Sequence, residues 1–158
     1  MKPDSDIPDP MHQGTEARKD WMGILARTET QRLEQAYAAL DASPRFEFLR
    51  RPEIGMVMVR ARTEAQGGRF NLGEMTVARC SVKLADGPVG HGYVAGRDKR
   101  HAELAALFDA LLQSPAHGPN LYDTIGALSA ELHEQRGKRD AQTAATKVNF
   151  FTMVRGED

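Results

Sequence analysis

An α+β fold is predicted for this 158-residue chain, on three observations. Apolar residues recur at helical spacing near both ends of the chain and alternate with period two through its middle. Short turn signals punctuate that middle stretch. Strands that follow one another so closely pair antiparallel, because a parallel crossover needs a dozen or more residues. The expected order is an N-terminal helical hairpin, an antiparallel sheet meander, then C-terminal helices and a final strand.

Residues 1–14, MKPDSDIPDPMHQG, carry prolines and acids where a signal peptide needs a basic start and an apolar core. They read as a disordered leader, and residues 15–158 as one domain long enough to bury a real core. Thr15 or Asp20 is the expected start of the first helix, with Ala17, Trp21, Ile24, Leu25 and Thr28 near one face. Leu33, Ala36, Tyr37 and Leu40 repeat the pattern in a second helix, capped by Thr30 and left at Pro44.

The period then changes. Phe46 and Phe48 alternate with Glu47 and Leu49 until Pro52 interrupts. IGMVMVRAR (54–62) is rich in strand formers, with Met56, Met58 and Arg60 opposite Val57, Val59 and Ala61. Gln66-Gly67-Gly68 reads as a turn into Phe70. From Glu74 to Leu84, Ala78, Cys80, Val82 and Leu84 point one way, and Val77, Arg79, Ser81 and Lys83 the other. Ala85-Asp86-Gly87 turns the chain into a strand from Val89 to Ala95.

A helix after Gly96 should bury Ala102, Leu104, Ala105, Leu107, Phe108, Leu111 and Leu112, ending at Ser114-Pro115. Leu121, Ile125, Leu128 and Leu132 space another helix, starting at Pro119 or Asn120 and closing near Gly137, with Lys138 to Ala145 adding a turn or two. Val148 to Val154, VNFFTMV, is the expected last strand, with two apolar faces that suit burial against a partner.

Composition excludes several functions. One cysteine, Cys80, rules out an internal disulfide framework and a four-cysteine zinc site, and fits a reducing cytosol. A net charge of −1 gives no bulk attraction to nucleic acid. No apolar run approaches the roughly 20 residues of a membrane span.

The chemically unusual stretch is GRDKRHAELAALFDALLQ (96–113). Its helix opens with Arg97, Lys99, Arg100 and His101, although the positive end of a helix dipole favours acids. Asp98 is the natural N-cap and offsets part of that charge. Two readings of the cations stay open: they curl toward solvent and Glu103, or they and the first-turn N–H groups meet a phosphate or a partner's carboxylate.

Other constellations fall away. His101-Ala102-Glu103 lacks the Pro-Cys-x-x-Cys that a zinc deaminase needs downstream, and His91 with His101 makes only two ligands, so no metal is assigned. Gly90, Gly92 and Gly96 miss the dinucleotide spacing, and two of them fall inside a strand, where glycine marks a bulge or a close backbone approach. Cys80 is expected to be a buried, inert thiol, and Glu103 with Asp109 a solvated face.

Two motifs, Gly-Arg-Asp-Lys-x-His-Ala-Glu at 96–103 and Phe-Phe-Thr-Met-Val-Arg-Gly at 150–156, resemble the G subunit of the bacterial carbon–phosphorus lyase core complex. ARKDWMGILA (17–26) and EMTVARCSVKLADG (74–87) agree, and the likeness spans residues 17–115 and 147–157. The resemblance implies a cytoplasmic subunit acting with the I and H subunits, helped by the L protein. Together they form ribose 1-alkylphosphonate 5-triphosphate from MgATP and alkylphosphonate, releasing adenine. The I subunit, the closest partner, would carry the nucleosidase chemistry; the J subunit would hold the iron–sulfur cluster. This chain would bind no cofactor itself. Its binding candidates, for substrate or partner anions, are Arg97, Lys99, Arg100 and His101, and its interface candidates Val148, Phe150, Phe151, Met153 and Arg155. Stand-alone anion binding and pure scaffolding are the alternatives.

Overall fold

The computed structural model describes residues 10–40, 43–63, 67–85 and 87–146. Within them lie α1 (Pro10–Leu25), α2 (Thr30–Ala38), β1 (Phe46–Arg62), β2 (Arg69–Leu84), β3 (Val89–Ala95), α3 (Lys99–Gln113) and α4 (Gly118–Ala145). The strands form one antiparallel sheet in the order β1-β2-β3, so the α+β arrangement holds. The expected strand at Val148–Val154, with Val148, Phe150, Phe151, Met153 and Arg155, lies outside the described residues.

α1 begins at Pro10, ahead of Thr15 and Asp20. Proline suits a first helical position, because its fixed φ is helical and its missing N–H would have had no partner there. Trp21 and Leu25 are buried, and the buried Thr28 returns its hydroxyl to the Ile24 carbonyl at 2.9 Å. Ala17 is exposed; Arg18 takes the inward position instead, where it meets Asp109 of α3. α2 buries Leu33 and is preceded by Glu29, which makes no side-chain cap. Thr30 is not the cap expected from sequence: it sits inside the helix and its hydroxyl donates to Asp98 Oδ2 at 2.6 Å.

β1 runs straight through Pro52, which was expected to interrupt it. Register shifts between Phe48 and Arg50 and between Arg50 and Glu53 take up the irregularity, and β1 is an edge strand, where proline is tolerated. β2 starts at Arg69, well before Glu74. Its residues Ala78, Cys80, Val82 and Leu84 are buried on the helix side. Arg79 and Ser81 on the other face are half-buried and Lys83 exposed, whereas Val77 is buried there too.

α3 is the hub. From His101 to Leu112 all but Glu103 are buried, including every apolar residue expected from the sequence. It lies directly on β3, because the two strand glycines leave room for its backbone. A Cβ on Gly92 would sit 1.9 Å from the Ala102 carbonyl oxygen, and one on Gly90 2.0 Å from that of Ala106. Ala102, Ala106 and Ala110, four residues apart, supply the matching small side chains. The glycines therefore mark a close backbone approach, one of the two uses the sequence allows. α4 packs across α3 through Leu121, Ile125 and Leu128, and the turns expected at Lys138 to Ala145 continue the same helix through Gly137.

Asp109 corrects the sequence reading most sharply. It is not on a solvated face; it is fully buried among apolar neighbours on α3. Its carboxylate accepts four hydrogen bonds: from Arg18 Nε (3.1 Å) and Nη2 (2.8 Å), Trp21 Nε1 (2.9 Å) and the His91 amide (2.9 Å). Arg18 Nη2 and Gln113 Nε2 also donate to the Val89 carbonyl, at 3.4 and 2.9 Å. One carboxylate thus ties α1 to α3 and bonds the outer edge of β3, which has no strand neighbour among the described residues. A buried charge is tolerable only with such partners.

Two substitutions test this packing. Asp109→Ala strands the Trp21 and His91 donors and should cost about 3–5 kcal/mol, read as a melting point lower by roughly 6–20 °C. Gly92→Ala forces α3 away from the sheet and should cost about 1–3 kcal/mol or more. Thermal or urea unfolding of the purified variants checks both.

Candidate functional site at the start of α3

β3 ends at Ala95 and the chain turns at Gly96, whose φ of 99° suits glycine. The Gly96 amide donates to the Thr76 carbonyl at 2.9 Å, which fixes the turn against β2. Asp98 then caps α3: its Oδ1 accepts the His101 amide at 3.0 Å while Oδ2 takes the Thr30 hydroxyl. The Thr30 hydrogen bond first, and the His101 amide next, hold the Asp98 carboxyl below its ordinary range. One acid therefore serves two helix starts.

The basic residues divide into two pairs. Arg100 is committed within the fold. Its Nε and Nη2 fork onto Glu34 of α2 at 2.7 and 3.1 Å, its Nη1 meets Glu103 at 2.7 Å, and its guanidinium lies 5.6 Å from the Tyr37 ring centroid. The Arg100 hydrogen bond correspondingly lowers the Glu34 carboxyl below its usual value. His101 is buried, with Nε2 2.8 Å from the Leu25 carbonyl at the end of α1. A carbonyl only accepts, so Nε2 carries a proton and the ring acts as a bolt between α1 and α3. Arg97 and Lys99 are exposed, and among the described residues their side chains make no hydrogen bond or ion pair. The curl toward Glu103 considered for all the cations is made by Arg100 alone.

Arg97 also flanks a shallow groove of about 410 Å³ with Ile54, Gly55, Met56 and Thr76, where β1 and β2 leave the body. A larger groove of about 610 Å³ lies between α2 and α4, lined mainly by Ala36, Leu40, Leu111, Leu121 and Leu128, with Arg32 at its edge. Arg32 is itself forked onto Glu131, which joins α2 to α4.

Cys80 is buried, its thiol 3.4 Å from the Arg50 carbonyl and pushed up to about 11, chiefly by burial. A thiol so poorly ionised is a weak nucleophile. One pair was missed in the sequence: Ser81 Oγ and His91 Nδ1 lie 2.9 Å apart on the outer sheet face. Their opposition in adjacent strands follows from the register, which the sequence did not specify. Asp109 engages the His91 amide rather than its ring, so the arrangement is not a triad. Among the described residues, no three His, Cys, Asp or Glu side chains are placed to share a metal ion.

Fold and site together define a small α+β protein with an open cationic helix start and no complete catalytic constellation among the described residues. Comparison with known sequences gives the particular family. The family described as phosphonate metabolism protein PhnG matches residues 16–156. The chain is also 46% identical over 145 residues to the alpha-D-ribose 1-methylphosphonate 5-triphosphate synthase subunit PhnG of Rhizobium meliloti (strain 1021), covering 92% of this chain and 93% of that one. This chain belongs to the PhnG family.

The Asp98 cap has a pH signature. Because the folded-state carboxyl is depressed, the unfolded chain binds more protons as pH falls through the acid range. The stabilisation is present above the unfolded pKa and is lost as pH drops through the folded one. Asp98→Ala should therefore cost about 0.5–2 kcal/mol at neutral pH, with the gap to wild type closing below about pH 4. Urea unfolding of both proteins across that range checks it.

Proposed function

We propose that this chain is the G-type subunit of an alpha-D-ribose 1-methylphosphonate 5-triphosphate synthase. It supports formation of ribose 1-alkylphosphonate 5-triphosphate from MgATP and an alkylphosphonate, with release of adenine, in phosphonate breakdown. The observation that carries this reading is the 46% identity across 92% of the chain to a relative bearing that name. MgATP is substrate to the complex, and this chain holds no cofactor of its own. I, H and J subunits are its proposed stable partners, the I subunit closest and the L protein transient, in the cytoplasm. Among the described residues no helix is long and apolar enough to cross a membrane.

Within the complex, Arg97 and Lys99 are the residues proposed to meet an anion. Triphosphate and phosphonate are polyanions, and two exposed cations beside the first-turn N–H groups of α3 favour such a ligand or a partner's carboxylate. Arg100 and His101 act behind them, setting the position of α3 against α2 and α1. Val148, Phe150, Phe151, Met153 and Arg155 are proposed as interface residues on their apolar and basic character.

The test is reconstitution. This chain should co-purify with the I subunit, and the complex should release adenine from ATP when an alkylphosphonate is supplied. Arg97→Ala/Lys99→Ala should leave assembly intact and cut turnover by about tenfold or more, on the scale of lost charge-assisted contacts. Unchanged turnover with impaired assembly would assign the two cations to a subunit contact instead. A stable chain that binds none of the subunits would overturn the reading.

A further inference from the structure

Among the described residues, no third layer covers the outer half of the β1–β2 ribbon. β3 pairs with β2 only from Val77 to Lys83, so Arg69 to Thr76 have β1 as their one described strand neighbour. At about 3.3 Å per residue that stretch projects roughly 25 Å. A two-stranded ribbon is marginally stable in water without a covering layer. On one face this one nevertheless displays Ile54, Met56 and Met58, 47% to 66% exposed, with Leu72, 64% exposed, at the register shift, while Phe70 and Met75 lie opposite Ala61 and Val57 on the other face. An exposed apolar row of this kind marks an interaction site.

The charges on the same ribbon say what kind of partner it fits. Arg62 and Arg69 face each other across the strands, and Arg60 lies on the face of Met56 and Met58. Like charges set opposite one another are destabilising. Among the described residues, none of these three arginines has an ion-pair partner. The sole acid of the described outer ribbon is Glu74, opposite Met58. We infer that the ribbon is a docking arm, and that its occupant is a groove on a different subunit of the complex with an apolar floor and a carboxylate rim. Met56, Met58 and Leu72 meet the floor, and Arg60, Arg62 and Arg69 meet the rim. A second copy of this chain is a poor occupant, because its described outer ribbon offers one acid, Glu74, to meet Arg60, Arg62 and Arg69. The ribbon leaves the body beside the groove flanked by Arg97, so the arm and the basic helix start form one continuous surface.

This inference rests on the chain being a complex subunit, and the experiment separates the two. Wild type, Met56→Asp/Leu72→Asp and Arg62→Glu/Arg69→Glu are each co-expressed with the other subunits and recovered through a tag on this chain. Both variants alter exposed positions, so each should keep the melting point of the isolated wild-type chain. The arm predicts that each recovers at least about tenfold less partner. It also predicts that wild-type binding to the partner that depends on the arm weakens with added salt. In the wild-type complex, hydrogen exchange at residues 54–62 and 69–76 should slow relative to the free chain. Full partner recovery by both variants, with unchanged exchange in the ribbon, overturns the arm and leaves the subunit assignment standing. Failure of the wild type itself to recover any subunit overturns both. A wild-type homodimer that Met56→Asp/Leu72→Asp dissolves, with subunit recovery unaffected, overturns the choice of a different subunit.

Discussion

A single buried carboxylate sets the geometry on which the rest of the molecule depends. Asp109 lies on the sheet-facing side of α3 and accepts hydrogen bonds from α1, through Arg18 and Trp21, and from β3, the edge strand of the described sheet, through the His91 amide. An unpaired edge strand invites other chains to add to it. Here Asp109 occupies the exposed donor of that edge while Arg18 and Gln113 occupy the Val89 acceptor. The glycines of β3 let α3 approach until backbone meets backbone, and the carboxylate locks it there. Apolar burial drives α3 onto the sheet, but burial is not directional. The hydrogen-bonded charge is what specifies one arrangement.

With α3 fixed, its first turn is fixed too, and the basic residues sort by depth. His101 points inward and bolts α1; Arg100 points sideways and engages Glu34 and Glu103; Arg97 and Lys99 point outward. The puzzle of cations at the positive end of a helix is thereby divided. One is neutralised by two carboxylates, one imidazole serves as a hydrogen-bond donor to a carbonyl, and two are left for an external anion. Asp98, held by Thr30 as well as by the cap, keeps this turn in register with α2. A surface built this way can be precise without containing any catalytic group.

Much of this was legible in the sequence where periodicity and turn chemistry agree. The apolar set of α3, the Asp98 cap, the inward alternation from Ala78 to Leu84 and the limits of β3 could all be read directly. Three features could not. Asp109 reads as a surface acid on residue type, although Ala105, Ala106 and Leu112 place it on the buried side; its position was the signal. Pro52 argued for a strand end, but bulges on an edge strand absorbed it. Gly137 argued for a break before the turns at Lys138 to Ala145, but those turns continue one helix through it. As for the site, the helix start was found by its charge, whereas the partition between Arg100 and Arg97 depends on Glu34 and Tyr37, distant in sequence and brought near by packing. The family itself was legible from motifs, and the match over residues 16–156 extends it through the region of α4.

If Asp109 locks the edge of β3, the amide of His91 reports it. On an open edge, an N–H facing away from the sheet exchanges with solvent as freely as a loop. Bonded to a fully buried carboxylate, it should exchange only when the whole domain unfolds. Native-state hydrogen exchange followed by NMR measures this residue by residue. The His91 opening free energy should equal that of the core amides of α3, such as Leu107 and Phe108. Rapid exchange at His91 while those amides remain protected would contradict it.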